Sequence, residues 1–297
     1  MTYSLREIKQ KLKDASNSFN WELQNISTNP NILKLTNAYT IKEIIEGIDD
    51  LELFKDQIDK IRSSVLFTVS GDPLRADSRL ISEINTNLNY LKNSIDNLLE
   101  ALTKVVPDES PDSINIKLPP IDDFDDLSNV SKDLHVALTQ VLYLDEINAS
   151  VKIESVENGS IWLNVFIYSQ IAVTVIGRLA WAAAVVYKKI LEGRLVEEQI
   201  RAYNVKNDSL EDVRESHKRM LNVLIQVEAE YINSESFKNN VPENIERIKN
   251  SIKMLAELLD KGAEIHPALT TSEQVSNLFP DMKRLPTIES KIKQITE

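Results

Sequence analysis

No cysteine occurs in the 297 residues, so disulfides, thiolate metal sites and cysteine nucleophiles are excluded. This absence fits a reducing compartment. Only six glycines and ten prolines interrupt the chain, which predicts long helices with few breaks. So few glycines also leave little room for a phosphate-cradling or dinucleotide-binding loop. Neither Gly-x-x-x-x-Gly-Lys nor Gly-x-Gly-x-x-Gly is present. With three histidines, there is no His-Glu-x-x-His and no Glu-x-x-His pair of the kind a di-iron bundle uses. No cofactor and no metal are therefore expected. The first residues, Met1-Thr2-Tyr3-Ser4-Leu5-Arg6-Glu7, carry no apolar stretch, so neither a signal peptide nor an anchor is expected there, and a cytoplasmic location is.

Positive charge is also scarce. The net charge is −12, concentrated in residues 1–150, which hold 15 basic against 25 acidic residues; residues 151–297 hold 19 against 21. An acidic chain gains little from counterion release, so nucleic acid is not expected as a partner. What remains, 42 % hydrophobic and 27 % charged, is the composition of a folded globular protein.

Helical periodicity dominates. Leu5, Ile8, Leu12, Ala15 and Phe19 mark a first amphipathic helix over 4–19. Thr40 stands at capping-box spacing from Glu43, which predicts a second helix starting there. Its apolar positions run from Ile41 to Val65 with one slip in phase near Leu51. Ile81, Ile84, Leu88, Leu91, Ile95, Leu98, Leu102 and Val105 alternate spacings of three and four, an a/d seam that packs lengthwise on other helices. Residues 107–126 read as a Pro/Asp-rich connection running into a helix N-terminus, since they lack the ligand spacing of an EF-hand.

Two strands, read over 151–154 and 161–167, flank Asn158-Gly159, which favours a type I′ hairpin because both central residues need positive φ. A long, unusually apolar helix follows over 171–187 and continues towards Tyr203. Ser209 with Asp212 marks the start of another helix, whose seam is read as Leu210, Val213, His217, Met220, Leu224, Val227 and Tyr231. A further helix carries Ile245 to Leu259 and ends at Gly262, and short helices are expected over 271–279 and 287–295. The expected fold is mainly α: an elongated multi-helix bundle with one central antiparallel β-hairpin at about 151–167. Its parts are 1–106, a connection at 107–126, and 127–297, with 1–106 and 127–297 forming either one continuous domain or two.

Four stretches carry a resemblance: Ile116-Lys117-Leu118-Pro119, Gly159-Ser160-Ile161-Trp162-Leu163, residues 176–186, and Gly262-Ala263-Glu264-Ile265-His266-Pro267. They resemble a group of uncharacterised bacterial proteins, a family of unknown function, over roughly the last two thirds of the chain. The resemblance implies a bacterial protein and supplies no activity.

Five side chains are singled out as candidates. Arg178 is the only charge between Glu157 and Lys188. At a bilayer midplane it would cost roughly 2.5–3.5 kcal/mol, whereas in a bundle core it would meet an acidic group. His217 lies in the apolar seam of its helix, where it reads as hydrogen-bonded across the bundle or as a buried base. His266 follows a helix end, Trp162 precedes the apolar segment, and Trp181 lies within it. His135, two residues after Asp133, faces another side of its helix.

These readings favour a non-enzymatic helical interaction protein that assembles with itself or with a protein partner. Two alternatives stand beside it. One is a bacterial membrane-active effector, in stress or phage defence, whose segment 169–187 inserts at the inner membrane on activation. Lys188-Lys189 and the flanking Trp162, Tyr168 and Tyr187 give that segment the outline of a span. The other is a ligand-sensing or enzymatic helical domain.

Overall fold

The computed structural model describes residues 3–26, 31–157, 161–202, 207–238 and 241–292. The chain is mainly helical with small antiparallel sheets, and it divides into two compact units, Met1–Asp108 and Glu109–Glu297.

In the first unit α1, Leu5–Ser18, opens with a capping box: the Glu7 N–H donates to Ser4 Oγ, and the Ser4 N–H donates to the Glu7 carboxylate at 2.7 Å. Strands β1, Leu23–Asn25, and β2, Ile32–Leu35, follow. The stretch read as one second helix is three: α2, Ala38–Asp49; α3, Lys55–Arg62; and α4, Val65–Thr68. Helix α2 starts two residues before Thr40, after Asn37 in the left-handed region at φ 57°. The phase slip near Leu51 marks a true break, where Glu52 turns the chain at φ 56°. Strand β3, Leu74–Asp77, completes a three-stranded antiparallel sheet in the order β1-β2-β3.

The seam helix α5, Ser78–Val105, is capped by the Asp77 carboxylate, which accepts from the Arg79 N–H. It lies against α1 and α3. Ile81, Ile84, Leu88, Leu91, Ile95 and Leu102 are buried with Leu12, Phe19, Ile41 and Ile58, so the seam is satisfied within its own unit. Val105, at its end, is exposed.

The second unit corrects the reading of residues 107–126. Ser113–Lys117 form β4, an inner strand. Ile114 and Ile116 alternate there with Ser113, Asn115 and Lys117, a period of two between Pro111 and Pro119 that is visible in the sequence but only five residues long. Helix α6, Phe124–Leu142, then starts on the Asp123 carboxylate, which accepts from the Asp126 N–H, so the acidic run does serve a helix N-terminus. Strands β5, Lys152–Glu157, and β6, Trp162–Phe166, pair antiparallel; the Asn158-Gly159 turn lies outside the described residues.

Helix α7, Gln170–Ala202, runs to α8, Asn207–Ser236, which is already under way at Ser209. Helix α9, Pro242–Asp260, ends at Gly262 with φ 100°. The next residues, Glu264–Pro267, form β7. The expected single hairpin is therefore part of a four-stranded antiparallel sheet, β5-β6-β4-β7, and the described residues form two sheets. Both extra strands of this sheet are too short to rise above a helical background in the sequence. The tail contains α10, Glu273–Ser276, and a 3-10 helix, Met282–Thr287; of the helix expected over 287–295, residues 291–292 are helical and residues 293–297 lie outside the described residues.

Helix α7 is the core of this unit. Val173, Ile176, Leu179, Ala180, Ala183, Ala184 and Val186 are buried among α8, α9 and α6 residues. A methyl on Gly177 would stand 2.8 Å from Phe279 Cε2, so this glycine sets how closely the segment after α10 approaches.

Candidate functional site

The sheet places the first cluster. On β4, Lys117 pairs with Trp162 of β6 on one side and with Glu264 of β7 on the other; Asn115 likewise pairs with Asn164 and His266. Alternation puts these six side chains on one face, opposite Ile114, Ile116 and Ile265. Lys117 Nζ reaches Glu264 Oε1 at 2.5 Å, and His266 Nε2 lies 2.9 Å from Glu264 Oε2. The Lys117 ammonium is 6.0 Å from the Trp162 ring centre, and the Trp162 and His266 rings are 5.3 Å apart.

The His266 hydrogen bond, followed by that of Lys117, holds the Glu264 carboxyl down at about 2 against the opposing effect of its burial. Behind it, the buried Asn164 amide donates to Asn115 Oδ1 at 2.9 Å, and the Asn115 amide donates to Glu109 at 2.6 Å. Each charge is spent on another, so the cluster locks β7 onto β4. The described parts of the resemblance phrases, 116–119, 161–163 and 262–267, converge on this sheet, although the sequence did not show that they would.

Arg178 and Trp181 of α7 belong to a second cluster. Arg178 Nη1 donates to the Glu235 carbonyl at 3.0 Å and to Ser236 Oγ at 2.8 Å, and Nη2 meets the Glu235 carboxylate at 3.3 Å. It thus meets the expected acidic partner and satisfies the C-terminus of α8, where a cation is favoured by the helix dipole. Trp181 Nε1 donates to the Glu289 carbonyl at 2.9 Å, and Lys188 Nζ donates to the Ile288 carbonyl at 2.9 Å. Lys291 Nζ stands 3.9 Å from the Trp181 ring centre. Burial pushes the Lys291 ammonium down, with Arg178 adding repulsion.

Sequence reasoning missed Glu228, which is 2 % exposed on α8. Burial raises its carboxyl, and a hydrogen bond with Ser290 partly opposes that; Oε1 has no hydrogen-bond partner among the described residues. The available signal was its place three residues after Ile225 and four before Ile232, on the apolar stripe of the helix.

His217 departs from expectation. The buried stripe of α8 is Ile225, Ala229 and Ile232, while Met220, Val223 and Val227 face solvent. Ring atom Nε2 of His217 is buried against Gly193 of α7, without a hydrogen-bond partner among the described residues, and so does not bond across the bundle. Beside it lies a cavity of about 290 Å³ lined by Lys189, Glu192, Val196, Val213 and Met220. There a hydrogen bond from Lys189 lowers the Glu192 carboxyl. His135 is exposed on α6, so the three histidines have separate surroundings. Among the described residues no three His, Asp or Glu side chains converge as a metal site.

Architecture and clusters together define a mainly helical protein of two compact units, the second built around an apolar helix and a small antiparallel sheet. The chain is similar to the uncharacterised protein YqaP of Bacillus subtilis (strain 168), at 27 % identity over 241 residues, 80 % of this chain and 77 % of the relative. The resemblance to uncharacterised bacterial proteins is thereby borne out. No family model matches the chain, and no solved structure matches it.

Proposed function

We propose that the protein is a non-enzymatic helical interaction protein that assembles with further copies of itself. The carrying observation is the apolar surface of the α7–α8 pair. Met220, Val223 and Val227 are 56 %, 63 % and 41 % exposed at helical spacing on α8, and Leu195 and Val196 of α7 are 59 % and 44 % exposed. An apolar stripe at this spacing on a solvent face gains most by packing against another helix. Light scattering behind size exclusion, from about 1 to 100 μM, tests the reading: wild type exceeds the 33.8 kDa of one chain, and Val223→Asp reduces the assembly without loss of helicity. A wild type that stays at one chain mass throughout overturns it.

A membrane-active effector is the second reading, and α7 favours it. It is the one described helix long and apolar enough to cross a bilayer, with an 18-residue window of mean hydropathy 1.5. That window is 67 % buried, so insertion requires the core of the second unit to open. Retention in the membrane pellet after an alkaline carbonate wash would support this reading over a cytoplasmic assembly; full recovery in the soluble fraction would end it.

A further inference from the structure

The end of α1, the turn after it and the first half of α5 enclose a cleft of about 450 Å³ in the first unit. Its volume falls in the range of about 300–1,000 Å³ that small-molecule sites occupy. Trp21, Leu23 and the asparagines Asn17, Asn20, Asn85 and Asn89 line it. Asn85, Asn89 and Lys92 stand at i, i+4 and i+7 on α5, each one residue after a buried member of the seam, Ile84, Leu88 and Leu91. Asparagine is among the weaker helix formers, so a pair of them one turn apart within α5 points to a use other than helix formation.

The aromatic wall of the cleft is fixed. Trp21 Nε1 donates to Asn85 Oδ1 at 2.8 Å, and its ring packs on buried Phe19 with ring centres 5.3 Å apart. With its N–H engaged, Trp21 offers the cleft carbon surface. The amides are engaged only in part. Asn89 Nδ2 donates to the Asn85 carbonyl at 2.8 Å, and Asn20 Oδ1 accepts from Asn37 at 2.7 Å. Asn85 Nδ2, Asn89 Oδ1 and the Asn17 amide meet no partner among the described residues. Lys92 is the only charged residue on the described lining, and the Ser16 carbonyl at 3.3 Å and Asp96 at 3.7 Å take up its ammonium.

We propose that this cleft binds a neutral carbohydrate, a sugar ring lying along Trp21 with its hydroxyls bonded to Asn17, Asn85 and Asn89. A hydroxyl both donates and accepts, as neighbouring neutral amides do, and the C–H face of a pyranose matches an aromatic wall. A phosphate or carboxylate calls for an unpaired cation, and Lys92 is paired. Residues 1–150, with 25 acidic against 15 basic residues, also repel an anion. The site lies within the first unit and does not depend on the self-assembly reading.

Saturation-transfer NMR and calorimetry on the full-length protein test the assignment. The probes are glucose, galactose, mannose, N-acetylglucosamine, maltose and cellobiose, each to about 20 mM. At least one is expected to bind with the protons of one ring face most strongly saturated, and a phosphorylated form of that sugar at least about tenfold more weakly. Asn17→Ala/Asn89→Ala alters two exposed side chains, so the fold is retained, and removing two hydrogen bonds to hydroxyls weakens binding about tenfold. Trp21→Leu, checked for native circular dichroism, abolishes the ring-face saturation. If none of the sugars binds, the proposal is overturned. Binding of adenosine in their place, lost in the double variant, overturns it in favour of a nucleobase. A sugar held equally by wild type and the double variant removes the site from this cleft.

Discussion

Replacing Gly177 and Gly193 with alanine, two identical changes in α7, is expected to have unequal effects. Alanine in a helix interior gains about 0.5–1 kcal/mol over glycine at either place. At Gly177 the new methyl would stand 2.8 and 2.9 Å from the Phe279 ring and 3.1 Å from Leu278 Cβ. Phe279 is 5 % exposed in the core and has no space to yield, so overpacking costs about 1–3 kcal/mol and the net loss is about 1–2 kcal/mol.

At Gly193 the gap is tighter still, 2.3 Å to His217 Nε2. Yet that ring is the end of a half-buried side chain beside a cavity of about 290 Å³, and its Nε2 gives up no hydrogen bond among the described residues. Turning the ring aside costs about 0.5–1.5 kcal/mol, which the helix gain offsets, so the variant falls within about 1 kcal/mol of wild type. Urea unfolding followed by tryptophan emission reads both changes. In a Trp21→Phe background the signal comes from Trp162 and Trp181, both in the second unit. Phe279→Leu should restore part of the Gly177→Ala loss. A Gly193→Ala protein less stable than Gly177→Ala would refute the reasoning, since the shorter contact would then govern regardless of what can move.

Two titrations follow from the shifted carboxyls. Glu264 is held at about 2 from an ordinary 4.5, so its contribution is present above about pH 4.5 and is lost as the pH falls through 2. Discounted for partial exposure, it amounts to about 1–2 kcal/mol; Glu264→Gln should lose that at pH 7 and flatten the acid limb, and an unchanged limb would count against the Lys117–Glu264–His266 cluster. Glu228 is shifted the other way, so its own contribution is fully present below the ordinary carboxyl range and is lost as rising pH ionises the group. Glu228→Gln should therefore stabilise by about 1 kcal/mol at pH 8 and change little at pH 4; equal melting temperatures at pH 8 would show that the acid is not desolvated there.

Much of the helical framework was legible from spacing alone. The a/d run from Ile81 to Leu102 and the apolar run of α7 both became buried faces, because a long helix declares its inner side many times over. The break at Glu52 showed as a slip in phase, and the ends of α1 and α9 showed through Phe19 and Gly262. Arg178 also announced that it would need an acidic partner, since a lone charge in an apolar stretch must be satisfied.

The tertiary structure decided what depends on contacts distant in sequence. Strands of four and five residues such as β7 and β4 become strands only by pairing with β6 and one another, and pairing across 147 residues, as between Lys117 and Glu264, leaves no periodic trace. The phase of α8 was misread for the same reason. Val213, Met220 and Val227 keep the spacing of a buried face, but α7 and α9 cover Ile225, Ala229 and Ile232 instead. The tail's hold on Trp181 and Lys188 likewise rests on two main-chain carbonyls, which every residue possesses and no sequence pattern reveals.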